Sequence, residues 1–238
     1  LFDLRKREVH LMQPGLDYSF HKDKYWKDID QQDSRHHKWI GRTVSWKGYD
    51  VMLKFHDKLM EIGHLTTLEG IDRSPAYMTF KASFDYYDEL KSDIQSISLQ
   101  DRYGKRASVF GSYKNKEMLE RMSLCSYGYQ LSYLKSKYIV HSLEYTHLEL
   151  AAVGVIPVFR KEYGDSCIHR YYKKPLTQVE SGTIWLSEDN MNESLNLIKE
   201  LSQDKDMREQ YRELAQKCYS WYDSKYVFED MFTIIKES

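Results

Sequence analysis

Apolar residues at Met52, Phe55, Leu59 and Ile62 recur three and four apart, which predicts a helix over about 49–62. Gly63 is a suitable stop for it. Short apolar runs elsewhere predict strands at 38–41, 64–69, 107–110, 129–132, 155–159 and 184–186, with a further short one at 78–80. The Val-Ile-Pro-Val-Phe run at 155–159 suits a strand buried on both faces, with Pro157 near one end. Between these runs the helical spacing returns at 116–124 and 143–153. It returns again after Ser187 (on Met191, Leu195, Ile198 and Leu201), on Met207, Tyr211, Leu214 and Cys218, and over about 227–236. Ser187 is the expected cap of the first of these late helices, with Glu188 and Asp189 in its first turn. The stretches 17–37 and 164–179 read as loops, the first with helical turns, and 77–105 has no clear period. Strands alternating with helices predict an α/β fold, a Rossmann-like parallel sheet with helices on both faces.

Composition narrows the function classes. With 238 residues and 41% apolar content, the chain can bury a sizeable core. Its 35 basic and 36 acidic residues argue against a dedicated nucleic-acid module of high pI while leaving room for a local basic face. Three scattered cysteines with no metal-binding spacing predict a reducing, cytoplasmic setting and no metal. The longest apolar run, 151–159, is too short to span a bilayer, so no membrane partner is expected. The chain opens on Leu1 and runs directly into a strand and a Pro14-Gly15 turn, which leads us to expect an N-terminal portion that is missing or on another chain.

The chemistry begins at 38–49. A strand, a Gly41-Arg42 turn, a short loop ending at Lys47-Gly48 and then a helix leave backbone N–H groups pointing at the helix mouth, which attracts anions. Arg42 can fork onto phosphate oxygens, and Lys47 can set a point charge beside them. The reading is a diphosphate site at the C-terminal edge of a parallel sheet. The bland alternative is a solvated loop carrying two cations.

A second stretch, 142–158, places Glu149 within a turn of a helix start, where a carboxylate can accept both hydroxyls of a ribose while the N–H groups near Thr146 and His147 face a diphosphate. Glu149 reads equally as an acid that merely favours the helix dipole, His147 as a capping or packing residue, and Glu144 as a surface acid.

Three motifs carry a resemblance. Gln13-Pro14-Gly15-Leu16-Asp17 resembles the interdomain hinge of GT-B glycosyltransferases; Gly41-Arg42 with Lys47-Gly48 resembles their donor-phosphate loop; and Leu148-Glu149 through Gly154-Val155-Ile156-Pro157-Val158 resembles their Leu-Glu-Ala…Gly…Pro-Val motif, all in the family's order. A narrower resemblance, to the DNA α-glucosyltransferases of T-even phages, rests on 38–48, Glu117-Met118-Leu119-Glu120-Arg121-Met122-Ser123, Gly128-Tyr129-Gln130-Leu131-Ser132 and 142–150, and covers roughly 9–235. One departure stands out. Retaining GT-B enzymes carry two glutamates with seven residues between them, and the partner position to Glu149 is His141; Glu144 is the nearest acid.

The resemblance implies the C-terminal, donor-binding half of a retaining transferase that moves glucose from UDP-glucose to 5-hydroxymethylcytosine in duplex DNA, with no cofactor beyond the donor. The implied catalytic residues are Arg42 and Lys47, which neutralise the leaving diphosphate as a metal does in other transferases. Donor contacts fall on Gly41, Arg42, Lys47, Glu144, Thr146, His147 and Glu149, with Tyr113 as the candidate for the nucleotide base. Candidate DNA contacts are Arg102, Lys105, Arg106, Lys114, Lys116, Lys173 and Lys174, together with Arg170, each of which reads alone as a solvated loop cation. The implied organisation is a hinge remnant at 1–16, a nucleotide-sugar-binding domain at 17–226, and a C-terminal helix at 227–238 that packs on the missing N-terminal acceptor domain. The alternatives are a GT-B transferase acting on a glycan, lipid or protein, and an isolated UDP-sugar-binding domain without activity.

Overall fold

The computed structural model describes residues 15–42, 47–71, 107–109, 115–132, 145–166, 169 and 171–237; the strand expected at 78–80 lies outside them. Among the described residues, six parallel strands form one sheet in the order β3-β2-β1-β4-β5-β6. They are β1 (Asp33–Arg42), β2 (Leu65–Ile71), β3 (Ala107–Val109), β4 (Cys125–Gln130), β5 (Ile156–Arg160) and β6 (Ile184–Leu186). The helices are α1 (Tyr18–Tyr25), α2 (Tyr49–Glu61), α3 (Asn115–Met122), α4 (Tyr145–Ala152), α5 (Lys161–Ser166), α6 (Gln178–Ser181), α7 (Met191–Gln203), α8 (Lys205–Tyr219) and α9 (Ser224–Glu237). None of these helices is long and apolar enough to cross a membrane.

Parallel strands need crossover helices, and those helices cover both faces of the sheet. One core cluster joins Val51, Met52, Phe55 and Leu59 of α2 with Ile198 and Leu201 of α7. The other joins Met118 and Met122 of α3, Leu148 and Leu150 of α4, and Ala215 and Cys218 of α8. The expected α/β class is what the molecule adopts. β4, between β1 and β5, is buried at all six residues. Pro157 is accommodated in β5 because pairing with β6 begins only one residue later, at Val158.

Several boundaries differ from the sequence expectation. β1 begins at Asp33, inside the expected loop, because His36 and His37 are held by other side chains instead of water: His36 Nε2 meets the Thr67 hydroxyl at 2.8 Å, and His37 meets the Tyr129 hydroxyl at 2.7 Å and His64 Nδ1 at 2.8 Å. The fourth strand lies at Cys125–Gln130 rather than 129–132, since its polar Ser-Tyr-Gly-Tyr stretch is buried on both faces. The expected loop at 17–37 contains α1, capped by Asp17, whose carboxylate accepts from the Phe20 N–H. That at 164–179 is bounded by α5 and α6. Asn190, not Ser187, is the N-cap of α7, with Glu188 and Asp189 before the helix. The Asn190 side chain instead ties down the preceding turn, accepting from the Ser187 N–H at 2.7 Å and donating to the Trp185 carbonyl at 2.7 Å.

Burial holds His37 well below the usual histidine range, reinforced by the neighbouring positive charge of His64, His36 and His56; His64 is lowered for the same first reason. A histidine with a folded pKa below its unfolded value contributes stability above about pH 6.5, and that contribution is lost as the unfolded chain gains protons below it. The urea midpoint is therefore expected to fall between pH 7.5 and 5.5. A midpoint that is flat across this window contradicts the reading.

Two anchorages frame the domain. Arg212, wholly buried, donates from Nε to the Gly154 carbonyl and from Nη2 to the Lys27 carbonyl, each at 2.6 Å. It also pairs with Glu209 and lies 4.6 Å over the Trp26 ring. It thus locks the α4–β5 turn to the segment entering β1. At the other anchorage, Leu16 forms a bridge with Asp223: its N–H donates to the Tyr222 carbonyl at 3.0 Å, and its carbonyl accepts from the Ser224 N–H at 2.7 Å. The Asp223 carboxylate accepts from the N–H and hydroxyl of Ser19. The segment expected as a hinge is therefore bonded, at Leu16, to the turn before α9, which begins at Ser224 rather than 227.

Candidate nucleotide-sugar site

In a sheet of this order, β1 and β4 are neighbours whose following helices lead to opposite faces, and ligands bind in the crevice outside the carboxyl ends of such a pair. The two stretches singled out in the sequence end at that crevice. Gly41 and Arg42 close β1, and Lys47 and Gly48 lead into α2. Trp39 pairs with Tyr129, so two residues further along each strand Gly41 stands level with Leu131 at the end of β4. The connection after β4 then leads to α4, whose first residue is Tyr145.

Gly48 joins the two loops. It is the N-cap of α2 in the left-handed region, φ 70°, and its side-chain position is filled by Leu131: a Cβ there would stand 2.3 Å from both the Leu131 Cβ and its carbonyl oxygen. Only glycine meets both conditions. Among the described residues no side chain caps α2, and the N–H groups of a helix's first turn have no partner within the helix. The end of β4 is fixed in turn by Gln130, whose Oε1 accepts from the Ser132 N–H at 3.2 Å and the Ser132 hydroxyl at 2.7 Å. α4 approaches β4 closely because Gly128 has no side chain: a Cβ there would stand 2.5 Å from the Leu150 Cδ2. Among the described residues, the starts of α2 and α4 and the half-buried Lys47 thus follow the carboxyl ends of two adjacent strands, β1 and β4.

The remaining candidates divide. Thr146 is half-buried in the first turn of α4, and Glu149 is buried four residues after the helix start, in the second turn rather than the first. The His147 side chain is wholly buried and packs edge-on against Phe159 at 4.4 Å, so what it presents to a ligand at the mouth is backbone. Lys173 and Lys174 are exposed on a different segment, the loop between α5 and α6, where Lys174 pairs with Glu180 at 2.6 Å. Lys116 is the second residue of α3. Glu144, Tyr113, Arg102, Lys105, Arg106, Lys114 and Arg170 lie outside the described residues, as does the Arg42 side chain. Among the described residues, no group of three or more His, Cys, Asp or Glu is placed to hold a metal ion. Sequence reasoning missed Leu131, Gln130 and Ser132 as the opposing wall of the site. Their signal was present in the Gly128–Ser132 stretch, but it was read as a strand.

A doubly wound parallel sheet with a strand-loop-helix unit at its switch point is an α/β architecture of the GT-B kind. The model of the family described as DNA alpha-glucosyltransferase matches residues 3–206. A curated relative, the DNA alpha-glucosyltransferase of Enterobacteria phage T4, is 40% identical over 232 residues, which are 95% of this chain and 57% of the relative. A solved alpha-glucosyltransferase in complex with UDP-glucose and DNA containing an abasic site has TM-score 0.78 and 39% identity, over 97% of this chain and 59% of that one. An UDP-forming trehalose-phosphate synthase from Burkholderia xenovorans shares the fold alone, with TM-score 0.60 and 9% identity over 92% of this chain and 50% of that one. The chain belongs to the DNA α-glucosyltransferase family. It spans a little over half the length of the T4 relative.

Proposed function

We propose that this chain is the nucleotide-sugar-binding half of a retaining DNA α-glucosyltransferase, which moves glucose from UDP-glucose to 5-hydroxymethylcytosine in duplex DNA in the host cytoplasm. The observation that supports the reading is the seating of Gly48 on Leu131, which brings the start of α2 against the end of β4. In that crevice Arg42, Lys47 and the α2 N–H groups hold the diphosphate. Glu149 takes the ribose, Thr146 and the backbone of His147 complete the α4 mouth, and Glu144 and Tyr113 are assigned to the donor, Tyr113 to its base. The bond from the glucose C1 to the phosphate oxygen breaks as the bond from C1 to the acceptor oxygen forms on the same face. The acceptor proton passes to the departing phosphate oxygen, so this half needs no dedicated base. Charge growing on the diphosphate is met by Arg42, Lys47 and the dipole of α2 in this reading, and each such contact is worth on the order of 3 kcal/mol of transition-state stabilisation.

The acceptor half is the N-terminal domain that the family's greater length provides, and α9 docks upon it: Phe228 and Phe232 are 54% and 57% exposed on that helix. A 1–16 hinge, a 17–226 body and this terminal helix are the organisation we assign. DNA is contacted through Arg102, Lys105, Arg106, Lys114, Lys116, Lys173 and Lys174.

Calorimetry with UDP, UDP-glucose, ADP-glucose and GDP-mannose tests the donor reading. Uridine nucleotides are expected to bind and the others not; binding by none defeats it. Because the chain spans just over half of its relative, donor binding without transfer to hydroxymethylated DNA by the chain alone is the result that favours a donor-binding half.

A further inference from the structure

We infer that, given the donor site proposed above, Gln130 is a positioning residue for it: its side chain holds the end of β4 between the starts of α2 and α4 and so sets the spacing of the groups assigned to the diphosphate. β4 pairs with β1 as far as Tyr129 and with β5 as far as Gln130. Leu131 and Ser132 therefore lie past the end of both ladders, yet they are 0% and 4% exposed. A buried N–H beyond a ladder needs another acceptor. Gln130 Oε1 supplies it, accepting from the Ser132 N–H at 3.2 Å and from the Ser132 hydroxyl at 2.7 Å. One side-chain oxygen thus carries the order of β4 beyond its last strand partner.

This short segment faces the two helices in turn. Leu131 belongs to the core cluster under α2, and its Cβ and carbonyl oxygen fill the space in which a Gly48 side chain would stand. Gln130 stands level with Phe159 in the parallel register, so both side chains point to one face of the sheet. On that face Phe159 packs edge-on against His147, near the start of α4, at 4.4 Å. Ser132, two residues on, returns to the side of Gln130, which brings its hydroxyl to Oε1. A buried side-chain amide costs stability unless it is bonded, and a methionine would fill a similar volume without that cost. At 6% exposure, Gln130 is therefore of use for its acceptor, at the point where the chain leaves the sheet. The bond from the Tyr129 hydroxyl to His37 Nδ1, at 2.7 Å, acts one residue earlier and inside the ladder with β1. Without the Gln130 acceptor the Leu131 carbonyl can turn, and the contact with Gly48 that sets α2 against β4 loosens.

The test is calorimetry of the whole 238-residue chain with UDP and with UMP, because the ratio of the two affinities reads the diphosphate and not the nucleoside. Gln130→Met keeps the volume and removes the acceptor. It is expected to lower the UDP-to-UMP affinity ratio about tenfold, with UMP affinity changed by less than about twofold. Ser132→Ala, which keeps the backbone bond and removes only the hydroxyl, is expected to lower the ratio about threefold, and Ser132→Thr to restore it. The melting temperature of Gln130→Met is expected to fall by about 2–4 °C. A fall in melting temperature with the ratio unmoved in both Gln130→Met and Ser132→Ala makes the pair scaffold alone and overturns the inference while leaving the donor reading standing. A ratio lowered equally by Ser132→Ala and Ser132→Thr also overturns it. An unmodified chain that binds neither UDP nor UMP defeats the donor reading, and the role of Gln130 with it.

Discussion

Gly48→Ala is expected to abolish UDP-glucose binding and to cost about 3–5 kcal/mol of folding stability. Two effects add. An L-residue in the left-handed region costs about 1–2 kcal/mol. The new methyl group would also stand 2.3 Å from the Leu131 carbonyl oxygen, which is backbone and has no rotamer to turn away. The start of α2 must therefore move off the end of β4, and the crevice opens at the point where its two loops meet. For a domain of this size the melting temperature should drop by about 10 °C, and calorimetry should show no heat with UDP-glucose. A variant with normal melting and normal donor affinity would remove the contact on which the site is built.

Lys47→Ala is expected to act in the opposite proportion. Lys47 is half-buried just before α2, and losing its ammonium removes charge from the place the proposed function assigns to the diphosphate. UDP-glucose affinity should fall about tenfold, and single-turnover transfer to hydroxymethylated duplex DNA, measured with the acceptor half supplied, should fall by about 10²–10³, because the charge it meets grows toward the transition state. The melting temperature should stay within about 2 °C. Stability and transfer lost together would make Lys47 a structural residue and take the catalytic role from it. Lys47→Arg separates the two readings further, since it keeps the charge but changes the shape of the donor group.

What the sequence made legible follows from what is local. The α2 helix is visible because its core contacts repeat with the helix itself, and the turn into it because Gly41 and Gly48 stand together in one short stretch. β1 was cut short because its first half is histidine-rich and looks solvated, and only the fold supplies the Tyr129 and His64 partners that let His37 be buried. β4 was displaced because Ser126, Tyr127 and Gly128 show no apolar run, although each is buried once helices cover both faces. The cap of α7 was misplaced because Ser187 and Asn190 both suit that position, and the hydrogen bond between them decides which side chain serves the turn. The meeting of Gly48 with Leu131 could not be read at all. It joins residues from different crossovers and exists only once β1 and β4 are neighbours, which is a property of strand order rather than of either segment.

The pairing of Leu16 with the Tyr222–Ser224 turn has a mechanical consequence. The polypeptide enters and leaves the α/β body through a single closed neck, whose two backbone hydrogen bonds and Asp223 carboxylate clamp one passage to the other. A pull arriving along either passage is felt at the same place.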